Sequence, residues 1–164
     1  MKFLYAPWRT GYLTKAQDRS RQKGQSHCPF CQKIAENQDE KNLILTRRKH
    51  AFVVLNLYPY NTAHTMVIPY RHCADLTDLT DEERTEIMAL LNETITKTQS
   101  IYNPNGFNIG MNLGAAAGAG IPEHLHMHVL PRWQGDTNFL PLLGQTKQIS
   151  YDLLEVYRKL KEVF

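Results

Sequence analysis

Strict alternation of polar and apolar residues from position 124 to position 129 constrains the fold more than any other feature of the sequence. The segment reads His-Leu-His-Met-His-Val-Leu and is followed by Pro131. Successive side chains of a β-strand point to opposite faces, so the alternation places all three imidazoles on one face of a strand. Because proline cannot donate a hydrogen bond to a neighbouring strand, we expect this strand to end at Pro131.

Shorter patterns predict the strands that accompany it. Runs rich in β-branched and aromatic residues at 42–47 and 51–56, with a short polar turn between them, favour a hairpin. Further strands are expected at 64–69, where a proline ends an apolar run, and at 107–111, where apolar and polar residues alternate. These elements predict a mainly antiparallel sheet.

Two helices are expected beside this sheet. Thr80 and Glu83 have capping-box spacing, and apolar residues then recur at helical intervals until the chain approaches Pro104. Leu153, Leu154, Tyr157 and Leu160 predict an amphipathic C-terminal helix. The predicted fold class is therefore α+β, with one long helix and a C-terminal helix.

The length and composition fit one globular domain of 164 residues, 42% of them hydrophobic. Residues 1–27 show no sustained helical or strand periodicity and are predicted to be an N-terminal extension, while 28–164 form the domain. The extension is basic, and it either faces phosphates or is solvated. No apolar run approaches the roughly 18 residues of a membrane span, and no signal-peptide core is visible, so we expect a cytoplasmic protein without a membrane partner. A net charge of +3 does not indicate a specific nucleic-acid partner.

Three histidines on one strand face point to chemistry rather than packing. A neutral imidazole is abundant at pH 7 and nucleophilic, and a hydrogen bond to its second nitrogen fixes the tautomer. One use is a metal-hydroxide hydrolase, but only Glu123 and Asp136 lie close enough in sequence to act as acidic co-ligands. The other use is phosphoryl or nucleotidyl transfer, for which the Gly- and Ala-rich loop at 113–122 would surround phosphates.

The triad segment and its surroundings resemble the histidine triad (HIT) family. Residues 124–132 are similar to the family signature, 55–64 to its nucleotide-pocket segment, and 132–139 to the tail of the bacterial diadenosine tetraphosphate phosphorylase-like branch. The resemblance spans roughly residues 28–140. It implies a HIT-like fold and a homodimer that forms through the long helix and an edge strand.

The resemblance also implies a mechanism. His126 would attack the α-phosphorus of an adenine nucleotide or dinucleoside polyphosphate, and water or inorganic phosphate would then attack the nucleotidyl-histidine intermediate. His128 and His64 would neutralise or orient the phosphate. The other implied nucleotide-binding residues are two asparagines and a backbone cradle, namely Asn56, Asn112, Gly118, Ala119, Gly120 and Ile121.

Some functional details stay open at this point. Gly120 stands where other branches of the family have a polar side chain, which leaves the leaving-group contacts open. Some dedicated phosphorylases have glutamine at the third triad position, whereas this chain has His128. A nucleoside phosphoramidate or adenylyl hydrolase and a nucleotide-binding protein with little turnover are the alternative functions.

A C-x-x-C motif at Cys28 and Cys31 has the spacing of half a zinc site. The resemblance implies that His72 and His124 complete a structural zinc site. Two buried thiols or a redox pair are the alternative. The odd total of three cysteines argues against a disulfide framework and fits a reducing compartment.

Overall fold

The computed structural model describes residues 27–137, 149 and 151–164. Almost all of the predicted N-terminal extension, and the end of the phosphorylase-like tail, lie outside these residues. Five strands form one antiparallel sheet: β1 (Ile44–Arg47), β2 (Ala51–Leu55), β3 (Thr65–Pro69), β4 (Gly106–Gly110) and β5 (Met127–Arg132). Their order across the sheet is β1-β2-β3-β5-β4. This architecture confirms the predicted α+β class, including the β1–β2 hairpin.

Three helices of eight or more residues accompany the sheet in the described part of the chain: α1 (Pro29–Glu36), α2 (Asp81–Tyr102) and α3 (Leu153–Lys161). A four-residue helix, Asp39–Asn42, precedes β1. The predicted capping box starts α2, because Thr80 Oγ1 accepts from Glu83 N–H at 3.2 Å while the Glu83 carboxylate accepts from Thr80 N–H at 2.8 Å. Asn103 ends α2 in a left-handed conformation, just before Pro104. Both predicted helices are therefore confirmed, although Leu154 of α3 is 49% exposed. No helix among the described residues is long and apolar enough to span a membrane.

The predicted limits of the triad strand were wrong at both ends. β5 begins at Met127 rather than His124, and it continues through Pro131 to Arg132. β3 pairs with β5 only from Met127 to Val129. Pro131 lies beyond this paired stretch, so its missing N–H interrupts no hydrogen bonding between β5 and β3. Pro131 instead pairs in register with Phe107 of β4.

The α1 helix was not predicted. Pro29 occupies its first turn, where the missing N–H of a proline leaves no helical hydrogen bond unmade, and Cys28 immediately before it has β-region dihedral angles. Phe30 and Ile34, four residues apart, face the hydrophobic core. Both signals are present in the sequence but overlap the C-x-x-C motif.

The centre of the sheet is covered on both faces. Every residue of β2 and β3 is buried, and the buried side chains of α2, Ile87, Leu90 and Leu91, join these strands in one core. Val54 and Met66 are opposite each other in the β2–β3 register, and both line a cavity together with residues of α1. The sheet thus has a core side and a cavity side.

Candidate active site

A cavity of about 590 Å³ lies beside the triad histidines. Its walls come from α1, from the loop after β2, from the Gly-rich loop and from the segment leading into β5. Most of the predicted nucleotide-binding residues line it: Asn56, Asn112, Gly118, Gly120, Ile121, His126 and His128. His64 and Ala119 are not among the lining residues.

The hydrogen bonds of His126 define its tautomer. Its Nδ1 lies 2.8 Å from the carbonyl oxygen of His124. A carbonyl only accepts, so Nδ1 carries the hydrogen and Nε2 keeps its lone pair. Burial lowers the pKa of His126, partly opposed by this hydrogen bond, so the ring is neutral at pH 7. His126 therefore lines the cavity as a neutral imidazole in the nucleophilic tautomer.

A chain of hydrogen bonds defines the tautomer of His128. The buried ring of His64 accepts at Nδ1 from the backbone N–H of Tyr60 at 3.1 Å and from the amide of Asn56 at 3.3 Å. The amide orientation of Asn56 follows because its Oδ1 accepts from Tyr58 N–H. His64 must then donate from Nε2 to Nδ1 of His128, 2.9 Å away, which leaves the hydrogen of His128 on Nε2.

His64 lies behind the cavity wall. It is completely buried, and it meets the cavity only through residues that line it, donating to His128 and accepting from Asn56 and Tyr60. Burial, and then the neighbouring His128 and His126, lower the pKa of His64 to about 3, so it carries no charge with which to neutralise a phosphate. The described contact of His64 is its hydrogen bond to His128, and its role toward a phosphate stays a prediction.

Two glycines shape the loop between β4 and β5. Gly114 and Gly118 have positive φ angles of 78° and 89°, which L-residues with a side chain adopt with strain, and they flank a short 3₁₀ turn at Ala115–Ala117. The side-chain amide of Asn112 donates to the carbonyl of Gly118 at 3.4 Å. The backbone can therefore approach a ligand where a larger residue would be strained.

Four cysteine and histidine side chains meet behind the triad, as the sequence predicted. The ligand atoms of Cys28, Cys31, His72 and His124 all lie within 4.8 Å of one another. Nδ1 of His124 is 3.2 Å from Cys28 Sγ, and Nδ1 of His72 is 3.4 Å from Cys31 Sγ.

The donor atoms of this cluster suit a metal ion. Nε2 of His124 donates to the carbonyl of Pro69 at 2.9 Å, which leaves the lone pair of Nδ1 directed at the thiols. Burial, and then the proximity of Cys28, raise the pKa of Cys31 to about 12, and a cation bound between the two sulfurs would lower it again. The cluster can hold one metal ion with four protein ligands.

Phe30, which was not predicted as a site residue, connects the cluster to the cavity. Its ring centroid lies 5.4 Å from that of His124 and 5.2 Å from that of His126. Tyr60 is a second residue near the triad that was not predicted as a site residue, and its ring centroid lies 6.0 Å from that of His128. The position of Phe30 inside the C-x-x-C motif could have predicted this proximity, because a metal ion shared by the two cysteines and His124 would bring the phenyl ring close to His124.

Known proteins resemble this chain in sequence and structure. The model of the HIT domain family matches residues 35–135. The AP-4-A phosphorylase of Mycobacterium tuberculosis (strain H37Rv) is 42% identical over 158 residues, which cover 96% of this chain and 81% of the relative. The bis(5'-nucleosyl)-tetraphosphatase [asymmetrical] of Schizosaccharomyces pombe is 31% identical over 93 residues, covering 57% of this chain and 50% of the relative.

A solved structure agrees with these relationships. A Zn-bound histidine triad family protein from Mycobacterium smegmatis has a TM-score of 0.69 and 26% identity, covering 85% of this chain and 94% of that protein. The sheet and the triad segment define a histidine-triad domain. The chain belongs to the HIT family, as its sequence predicts.

Proposed function

We propose that this chain cleaves dinucleoside polyphosphates of the diadenosine tetraphosphate type at the α-phosphate, through a nucleotidyl-histidine formed on His126. The observation that carries the proposal is the tautomer of His126, whose hydrogen is held on Nδ1 by a backbone carbonyl while Nε2 keeps its lone pair. The 42% identity to an AP-4-A phosphorylase supports the substrate class.

The first half-reaction forms one bond and breaks another. Nε2 of His126 attacks the α-phosphorus, and the bond from this phosphorus to the bridging oxygen of the leaving polyphosphate breaks. Positive charge then develops on the imidazole, where the His124 carbonyl stabilises the Nδ1–H. His128, oriented by His64, donates from Nε2 to an α-phosphate oxygen. Asn112 and the backbone around Gly118 contact the remaining oxygens.

The second half-reaction returns His126 to its starting state. An acceptor oxygen attacks the same phosphorus, and the phosphorus–nitrogen bond to His126 breaks. Water as acceptor makes the enzyme a hydrolase, and inorganic phosphate makes it a phosphorylase. The similarity to an AP-4-A phosphorylase supports phosphate as the acceptor, and the similarity to a tetraphosphatase supports water as the alternative acceptor.

Product analysis distinguishes the two acceptors. Incubated with diadenosine tetraphosphate and inorganic phosphate, the protein is expected to release ADP and ATP, because the adenylyl group passes from His126 to phosphate. Without phosphate, slow transfer to water would give AMP and ATP. The measurement is chromatography of the products in both conditions. AMP in place of ADP at saturating phosphate would reject the phosphorylase assignment, and absence of both products would favour the binding-protein alternative.

We propose that the Cys/His cluster is a structural zinc site. Two thiolates and two imidazoles are a common closed ligand set for Zn²⁺, and the M. smegmatis protein is described as Zn-bound. A bound zinc would supply cross-linking between α1, the segment after β3 and the segment before β5. It would also fix His124, whose carbonyl holds His126. Four protein ligands leave no open position for a metal hydroxide, which disfavours the metallo-hydrolase alternative.

We propose a homodimer that forms through β4 and α2. β4 is an outer strand of the sheet, paired with β5 on one side, and its Ile109 is 47% exposed. Met88 of α2 is 55% exposed. A strand edge that has no partner among the described residues, together with exposed apolar side chains, favours association with a second chain.

A charged substitution on β4 tests this assembly. Ile109→Lys is expected to shift the protein from dimer to monomer, because it places a charge where two apolar surfaces meet. The measurement is sedimentation equilibrium at micromolar concentration. The matched control is Leu154→Lys on α3, at an aliphatic residue that is about as exposed as Ile109, which should leave the dimer intact. A wild-type protein that sediments as a monomer would overturn the proposal.

We also propose that the protein works in the cytoplasm, which is a reducing compartment. Its three cysteines, Cys28, Cys31 and Cys73, are all free thiols. Reducing conditions keep the first two available as metal ligands.

A further inference from the structure

The cavity extends well beyond the histidines, toward the opposite edge of the sheet. His128 belongs to β5, whereas Asn42, which also lines the cavity, lies just before β1. Three strand spacings separate β5 from β1 in the sheet order, a distance of roughly 14 Å. If phosphate chemistry occurs at the β5 end, as the proposed function requires, the β1 end is where the base of the nucleotide lies.

The two ends of the cavity differ in chemistry. Between them the walls are apolar, with Phe30, Val54 and Met66 suited to the faces of a flat ring. At the β1 end, α1 contributes a cation and a carboxylate, Lys33 and Glu36. A base in this position would therefore meet hydrogen-bonding groups along its edge.

Hydrogen bonds hold these polar groups in place. Lys33 Nζ donates to the carbonyl of Asn42 at 2.9 Å, and the side-chain amide of Asn42 donates to Glu36 at 3.0 Å. The Asn42 side chain is buried, so this arrangement is anchored in the protein interior. An ammonium group has three N–H donors and Asn42 takes one of them, so Lys33 retains donors for a ligand in the cavity that it lines.

We propose that Lys33 is a specificity-determining residue that donates to the acceptor edge of a purine base. Both purines have the N7 acceptor, and guanine adds the O6 acceptor beside it, whereas adenine has an amino group at that place. Pyrimidines have no N7. Lys33 therefore favours purines over pyrimidines and strengthens guanine binding most, so the substrate class extends to guanine-containing dinucleoside polyphosphates.

Binding of mononucleotides tests this proposal without requiring turnover. Dissociation constants for GMP, AMP, UMP and 7-deaza-GMP are measured by calorimetry with the full chain and with Lys33→Met, which keeps the length of the side chain but removes its donors. We expect the substitution to weaken GMP binding about tenfold, AMP binding less, and UMP binding not at all. For 7-deaza-GMP, which lacks the N7 acceptor, the loss should be smaller than for GMP.

The control is Lys49→Met in the exposed β1–β2 turn, which should bind all four nucleotides as the wild type does. Thermal melting of each variant establishes that it is folded. Equal weakening of all four nucleotides by Lys33→Met, or no weakening of GMP, would overturn base recognition by Lys33. The proposed reaction fails separately: Lys33-dependent GMP binding without any cleavage of diadenosine tetraphosphate would reject the reaction and retain the base site.

Discussion

Replacement of His126 by asparagine is expected to lower kcat for diadenosine tetraphosphate by roughly 10⁴-fold or more, the scale seen when a catalytic nucleophile is removed. Asparagine cannot form the nucleotidyl intermediate, so the two-step route is lost. Nucleotide affinity should change little, because the apolar walls, the Gly-rich loop and His128 remain. Steady-state kinetics together with calorimetric binding of AMP separate these two effects.

The neighbouring triad position provides the matched control. His128→Asn removes a donor to the phosphate but leaves the attacking nitrogen in place, so we expect a smaller loss, on the order of 10²- to 10³-fold in kcat. Each variant must first melt as a folded protein. Equal losses at the two positions would mean that the histidines act through a shared structural effect, and wild-type turnover in His126→Asn would contradict the mechanism outright.

Loss of the metal cluster is expected to have the largest effect on stability. Freshly prepared, unchelated protein should contain about one zinc per chain, as four-ligand structural sites do. Cys28→Ser should abolish that content and lower the melting temperature by roughly 10 °C or more, because metal binding is coupled to folding. The cluster does not face the cavity, so kcat of the folded variant at low temperature should fall much less than in His126→Asn.

Elemental analysis and thermal melting measure these changes. Cys73→Ser is the control, since Cys73 is also buried but lies outside the cluster. It should retain zinc and melt close to the wild-type temperature. Absence of zinc from the unchelated wild-type protein would reject the site, as would equal destabilisation by the two substitutions.

The sequence predicted the sheet well because period-two patterns and turn residues depend on local chain geometry. The hairpin, β3, β4 and α2 were all expected from such patterns, and Thr80 was correctly predicted to start α2. The limits of β5 could not be read locally. They depend on where β3 stops pairing, which determines whether Pro131 interrupts a ladder.

The candidate site was also predictable only where local motifs define it. The motifs predicted His126 and the four cluster residues as site residues, and the structure places the cluster residues together. The relation of His64 to His128 depends on a loop that positions Tyr60 N–H, and no sequence pattern encodes it. The polar end of the cavity at Lys33 depends on how α1 lies against Asn42, just before β1, which is tertiary structure that a single sequence does not reveal.

The most direct test of the mechanism is to trap the intermediate. The protein is mixed with diadenosine tetraphosphate labelled at the α-phosphate, in the absence of inorganic phosphate, and quenched in alkali, which preserves phosphorus–nitrogen bonds. Peptide mapping then locates the label. Stoichiometric label on the peptide containing His126, absent from His126→Asn and retained in His128→Asn, is the predicted result. Label on a different residue, or turnover with no covalent label at any time after mixing, would contradict nucleophilic attack by His126.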